Sequence, residues 1–123
     1  MTRVLHIALA PEWTEAEALG RYEKSSRGVT LAQEGFIHAS TVSQAAVVLG
    51  KFYGDLPPAG LRLLVVDEEK CAEQGTPMRW DDVPGSDSPF PHFYGPIPVD
   101  AVVAVLEFTG PELPDVSSYD VAR

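Results

Sequence analysis

Apolar and polar side chains alternate over residues 4–9. Val4, His6 and Ala8 fall on one side and Leu5, Ile7 and Leu9 on the other, the period of a β-strand. The wholly aliphatic side is the natural core face, which turns His6 away from the core. Pro11 suits a first helical turn, and residues 13–19 predict a short helix stopped by Gly20. Residues 21–33 show no clean period and read as a loop holding a fragment of strand or helix. Alternation resumes over 36–40, with Phe36, His38 and Ser40 opposite Ile37 and Ala39. Thr41 and Gln44 then match a capping box, and Ala45, Ala46, Val48, Leu49 and Phe52 make the apolar stripe of a helix that lasts to Gly54. His38 and Ser40 therefore end a strand that feeds a helix N-terminus, where free backbone N–H groups favour anions.

The strongest strand pattern is the aliphatic run at 61–67, expected at the centre of the sheet, and 78–81 predicts a brief strand. Residues 83–98 hold five of the eleven prolines and read as an ordered or lid-like loop. A last strand covers 101–108, and 109–123 reads as a polar, partly disordered tail. Strands and helices interleave without repeat or linker. The expected architecture is α+β: one domain over 1–108, built on a small mixed sheet with a few flanking helices, then the tail.

Composition narrows the function classes. The chain has 123 residues, 45% of them hydrophobic, enough to bury a core without disulfides or a structural metal. Nine basic against eighteen acidic residues give a formal net charge of −9, whereas a protein that holds nucleic acid needs a basic face. Arg3, Arg21, Lys24 and Arg27 can form a small patch, but Tyr22 is the one aromatic residue interleaved over 21–27, short of the succession of rings that single-strand binding uses, so nucleic acid is disfavoured as a partner. The single cysteine, Cys71, sits among Glu68, Glu69 and Glu73, which disfavour a thiolate. The N-terminus does not resemble a secretory signal and no apolar run is long enough for a membrane span, so a cytoplasmic location is expected.

All three histidines lie in apolar or aromatic settings: His6 in a strand, His38 before the capped helix, and His92 among Phe90, Pro91, Phe93 and Tyr94. Imidazole can donate, accept or carry a proton near neutral pH, so these three are the candidate catalytic residues. Each also has a structural alternative, a ring bonded to a backbone carbonyl or packed in a cover. Arg79 beside Trp80 offers a planar cation for a phosphate or carboxylate, or else pairs with Asp81 or Asp82. Tyr94 can stack on a ligand or simply pack. The histidine spacings place no two on one helix face, so no metal is assigned. Glycine-rich phosphate loops, nucleophile elbows and Cys-x-x-Cys pairs are absent from the sequence.

The ordered set of His6-Ile7, Gly35-Phe36-Ile37-His38-Ala39-Ser40-Thr41, the 63–67 run, Arg79-Trp80 and Phe90-Pro91-His92-Phe93-Tyr94-Gly95-Pro96 resembles the bacterial family called domain of unknown function 952. That family is regarded as a distant relative of the ADP-ribosyltransferase fold, which includes the RNA 2'-phosphotransferases. The resemblance implies a split mixed sheet with an NAD-type pocket in its cleft. On that footing His6 and His38 would contact ribose hydroxyls or the nicotinamide amide. Ser40, Thr41 and Arg79 would face the cofactor, with the helix start and Arg79 on phosphate. His92 would be an acid or base, and Tyr94 a stacking residue. The late-strand glutamate of many protein-modifying relatives has no clear counterpart; Glu107 lies there without a distinguishing context. Thr30 and Asp81 also stand where family members often carry aspartate and glutamate. The expected ligand is NAD or an ADP-ribose derivative. The rivals are a non-catalytic module for a nucleotide or other small anion and a three-histidine metal-dependent hydrolase.

Overall fold

In a computed structural model, which describes residues 2–123, ten strands and four helices follow one another along the chain. The strands are β1 (Arg3–Leu9), β2 (Arg21–Tyr22), β3 (Lys24–Ser26), β4 (Val29–Thr30), β5 (Ile37–His38), β6 (Leu61–Asp67), β7 (Met78–Asp81), β8 (Phe90–Phe93), β9 (Ile97–Pro98) and β10 (Val102–Glu107). The helices are α1 (Ala10–Leu19), α2 (Leu31–Glu34), α3 (Val42–Phe52) and α4 (Glu68–Glu73).

The aliphatic run of β6 is central, as expected, between β1 and β10. It pairs with β1 over seven residues, from Arg3↔Asp67 to Leu9↔Leu61, and β10 joins its other edge with a bulge between Val102 and Ala104. Both faces of this sheet are covered, which explains why β6 does not alternate. Val4, Ala8, Leu64 and Val66 pack on one side with Trp13 and Ala16 of α1, Tyr22, Ile37, Phe93 and Ile97. Leu5, Ile7, Leu63 and Val65 pack on the other with Ala45, Leu49 and Tyr53 from the α3 side, Phe108 and Val116. Leu63, Leu64, Val65 and Val66 are each fully buried, and burying a side chain of this kind contributes about 1.5–3 kcal/mol. His6 is consequently inside the protein, 4% exposed, and not on an outward face as the alternation implied.

A second sheet has the order β5-β8-β7, and two short pairs, β2-β9 and β3-β4, complete the fold. Every strand pairing is antiparallel; the only parallel contact among the described residues is an isolated bridge between Arg3 and Val121. The mixed sheet of the sequence analysis is thus replaced by small antiparallel ones. The chain crosses between the two larger sheets at residues 38–40. His38 pairs with His92, the N–H of Ala39 donates to the Pro91 carbonyl at 3.0 Å, and Ser40 exchanges two backbone bonds of 2.8 Å with Leu5.

Residues 83–98, read as a loop, contain β8 and β9. Pro91 has no N–H to give, yet its carbonyl accepts from Ala39, and the donor it lacks falls at the end of the two-residue β5 ladder. The 109–123 segment returns to the first sheet. Val116 is buried, Ala122 N–H donates to the Arg3 carbonyl, and the Arg3 guanidinium donates to the Tyr119 carbonyl.

Gly20 ends α1 in the left-handed region, its φ of 84° allowing its N–H to reach the Ala16 carbonyl. Gly95 is required for a different reason. A Cβ there would stand 2.9 Å from the Thr76 hydroxyl oxygen, and that hydroxyl is held by donating to the Pro96 carbonyl at 2.6 Å. Gly95→Ala is expected to lower stability by about 2 kcal/mol, read from the urea midpoint; an unchanged midpoint would show that Thr76 yields freely.

Candidate functional site

A cavity of about 390 Å³ is lined by residues of both larger sheets, β3 and α3. Its floor is built from β1 (Leu5, His6, Ile7) and the crossing segment (His38, Ala39, Ser40). Ser25 and Ser26 of β3 stand on one side, Val48, Phe52 and Tyr53 on another, and Val83 and Phe90 at the remaining edge. The walls are therefore mainly apolar and aromatic with a few polar groups, the usual composition of a small-molecule site. Ser25 is wholly buried, and its hydroxyl has no hydrogen-bond partner within the protein.

Two ties frame this space. The Arg27 guanidinium, in the β3–β4 turn, makes a two-pronged pair with Asp55 at 2.6 and 2.9 Å and also donates to the Phe52 carbonyl at 2.9 Å. Gln44 works twice: its side-chain oxygen accepts from Thr41 N–H at 3.0 Å in the capping box, and its amide donates to Ser88 Oγ at 3.1 Å and the Pro89 carbonyl at 2.8 Å. The cap of α3 thereby anchors the 83–89 segment, which supplies Val83 to the rim.

His6 lines the cavity but is internally committed. Its Nδ1–H donates to the His38 carbonyl, which leaves Nε2 as the acceptor for the Tyr22 hydroxyl at 2.8 Å. Burial lowers its pKa to about 4, so the ring is neutral at ordinary pH, and burial likewise raises the Tyr22 phenol. His6 braces the crossing segment against β2.

His38 also lines the cavity, and its side chain is 41% exposed. Its pKa is lowered by partial burial and by the neighbouring His92, while Glu34 at 3.6 Å acts in the opposite direction. His92 is next to it on β8, with ring centroids 5.0 Å apart and planes at 87°. Asp81 accepts from His92 Nδ1–H at 2.8 Å and from the Tyr94 hydroxyl through the same oxygen. The Tyr94 and His92 donors hold the Asp81 carboxyl below its ordinary range, and the carboxylate raises the Tyr94 phenol. Phe36 stacks on His92 at 4.1 Å, and the exposed Arg79 guanidinium lies 5.2 Å from the Tyr94 ring centroid.

The structure thus sorts the sequence candidates into two adjacent groups. His6, His38 and Ser40 line the cavity, whereas His92, Tyr94 and Arg79 form a cluster beside it. Thr41 joins neither group. Its hydroxyl accepts from Gln44 N–H, and Val42 N–H donates to the Ala122 carbonyl, so the start of α3 is largely occupied by its own chain. Arg79 stacks on Tyr94 rather than pairing with Asp81 or Asp82. The three imidazoles do not converge, and among the described residues no group of three or more His, Cys, Asp or Glu side chains is arranged to hold a metal ion. Cys71 is buried, its thiol pushed up to about 12 by burial and nearby carboxylates.

Ser25 and the Arg27–Asp55 pair were not singled out from the sequence, Phe90 only as part of the setting of His92, and Asp81 only as a possible partner of Arg79 and a departure from the family pattern. For Asp81 a signal existed, since strand alternation puts it on the same side as Arg79; what it meets there depended on the unrecognised β8. Each cation of the N-terminal cluster faces an acid: Arg3 with Asp67, Arg21 with Glu23, Lys24 with Glu15 and Arg27 with Asp55. Among the described residues no helix is long and apolar enough to cross a membrane.

The crystal structure of protein CC0527 from Caulobacter crescentus is similar to this fold, with a TM-score of 0.71 and 32% sequence identity over 86% of this chain and 85% of that one. The solution NMR structure of CC0527 gives a TM-score of 0.66 at 33% identity, over 87% and 84% of the two chains. No curated protein matches the chain. The sequence profile described as "Protein of unknown function (DUF952)" matches residues 7–105, most of the chain, and the protein belongs to that family.

Proposed function

We propose that the cavity between the two sheets binds a small nucleotide-like ligand, and that it takes the nicotinamide–ribose end of NAD or the ribose of an ADP-ribose derivative. The observation that carries this reading is the cavity itself: about 390 Å³, lined from both larger sheets, with His38, Ser40 and the unpartnered Ser25 hydroxyl set among aromatic side chains. A ring against Phe52, Tyr53 and Phe90 with hydroxyls towards Ser25, Ser40 and His38 satisfies both kinds of surface. His6 keeps the His38 backbone in place. Phosphate groups stay at the mouth, in solvent, because Arg27 is spent on Asp55 and the α3 N-terminus on its own cap and Ala122. That arrangement fits a chain with a net charge of −9 better than deep burial of a pyrophosphate does.

A thermal-shift titration with NAD, ADP-ribose and nicotinamide tests the reading. A ligand at a hundredfold excess over its dissociation constant adds about 2.7 kcal/mol, enough to raise the midpoint of a domain this size by roughly 10 °C. His38→Ala is expected to abolish the shift. If none of the three compounds moves the wild-type midpoint, the ligand class is wrong. Nicotinamide release during a long incubation with NAD would identify a glycohydrolase or transferase; saturable binding without release would identify a binding module.

A further inference from the structure

Strand alternation places Phe36, His38 and Ser40 on one face of the second sheet, with Phe90, His92 and Tyr94 from the β8 segment and Arg79 and Asp81 from β7, while Ile37 and Phe93 enter the core on the other. His38, Ser40 and Phe90 line the cavity, so His92 occupies the row next to its wall. Its side chain is 4% exposed. Nδ1–H donates to Asp81 at 2.8 Å, and Nε2 is buried without any partner. With Nδ1–H committed to the carboxylate, a ring that carries this one proton presents a lone pair at Nε2. A buried acceptor left empty in this way calls for a donor that the chain does not provide.

We propose that His92 Nε2 accepts a hydrogen bond from the ligand, and that Asp81 is a positioning residue which keeps that nitrogen an acceptor. This rests on the cavity being a small-molecule site, and it names what that site selects: a neutral hydroxyl or amide N–H donor carried on a ring or sugar. His38 lines the cavity, and its ring centroid lies 5.0 Å from that of His92. Its side chain is 41% exposed and its ring is held by aromatic contacts and Glu34 at 3.6 Å, so the ligand that contacts His38 reaches Nε2 by displacing that ring within the site. An anionic group is rejected for two reasons. It brings an acceptor against an acceptor, and it approaches the carboxylates of Asp81 and Glu34.

Nicotinamide and nicotinate separate these cases, since they differ by a carboxamide against a carboxylate on the same ring. Long-range proton–nitrogen spectra of the full chain with labelled histidine are expected to show His92 protonated at Nδ1 and bare at Nε2. Saturating nicotinamide shifts the Nε2 resonance, and nicotinate binds at least tenfold more weakly. Asp81→Asn lowers nicotinamide affinity at least tenfold, whereas Glu107→Gln, in β10 and outside both the cavity and the cluster, changes it less than twofold. The comparison of the two compounds needs only the wild-type protein, so it decides the matter even where Asp81→Asn folds poorly. Nicotinamide binding with Nε2 unmoved, equal affinity for nicotinate, or a proton on Nε2 overturns the proposal and leaves the cavity reading standing. Absence of binding by nicotinamide, NAD and ADP-ribose overturns both.

Discussion

Lowering the pH from 6.5 to 4 is expected to remove about 3 kcal/mol of folding stability through His6 alone. An unfolded histidine titrates near 6.5, and burial brings the folded one to about 4. Between these values the unfolded chain binds a proton that the native chain refuses, so stability is at its plateau above 6.5 and declines as the pH falls. The decline is complete below 4. The hydrogen bonds give the reason in atomic terms. Nε2 is the acceptor for Tyr22, and a proton placed there would put a charge in a fully buried site and force the Tyr22 hydroxyl to turn from donor to acceptor. The bond from Nδ1–H to the His38 carbonyl would strengthen on protonation, but burial outweighs it. His38 is lowered as well and adds a smaller loss of the same sign. Asp81, whose pKa is depressed, contributes in a separate window: its stabilisation is present above the ordinary carboxylate range and disappears at more acidic pH. Urea denaturation at half-unit pH steps measures the slope. His6→Gln should lie lower at pH 7 and run flatter between 6.5 and 4; a slope equal to wild type would remove His6 as its origin.

Phe93→Ala is expected to cost about 3–5 kcal/mol, the range for deleting a buried aromatic side chain. Phe93 is fully buried, pairs with Ile37 on one side and Met78 on the other, and fills the core beneath the second sheet. Neither neighbouring strand can close the gap alone, because both are fixed to β8 by backbone pairing. The residue before it, His92, faces the opposite way and belongs to the Asp81–Tyr94 cluster beside the cavity. The substitution should therefore accelerate amide exchange across β5, β7 and β8 and weaken nicotinamide binding, while β1 and β6 keep their protection. A midpoint loss under 1 kcal/mol, or loss of protection spread evenly over both sheets, would contradict this division of the fold.

Much of the scaffold was legible because it depends on near neighbours in the chain. The unbroken aliphatic run of β6 identified a central strand, and Thr41 with Gln44 identified the start of α3 through a bond three residues long. Gly20 marked the end of α1 in the same local way. The common face of Phe36 and His38 also followed from alternation, and their rings do meet at 4.9 Å. The losses have a shared cause. Proline content made residues 83–98 read as a loop, yet a strand tolerates a proline where the missing donor has no partner waiting, and only the neighbouring strand defines that place. The α3 N-terminus read as free for an anion because the Ala122 carbonyl that occupies it is eighty residues away. His6 read as outward because alternation distinguishes two faces without saying that both are covered.

What the sequence by itself determined is the set of elements whose signals lie within a few residues, the acidic character of the chain, and the clustering of histidines with aromatic residues. Tertiary structure decided which of those histidines is spent. His6 and His92 are both buried strand imidazoles, but the first meets a carbonyl and a phenol while the second meets a carboxylate on one side and nothing on the other. The difference is made by partners 16 and 32 residues away for His6 and 11 away for His92. A hydrogen bond depends on distance in space, and only the folded chain brings such partners within three ångströms or so of a ring nitrogen.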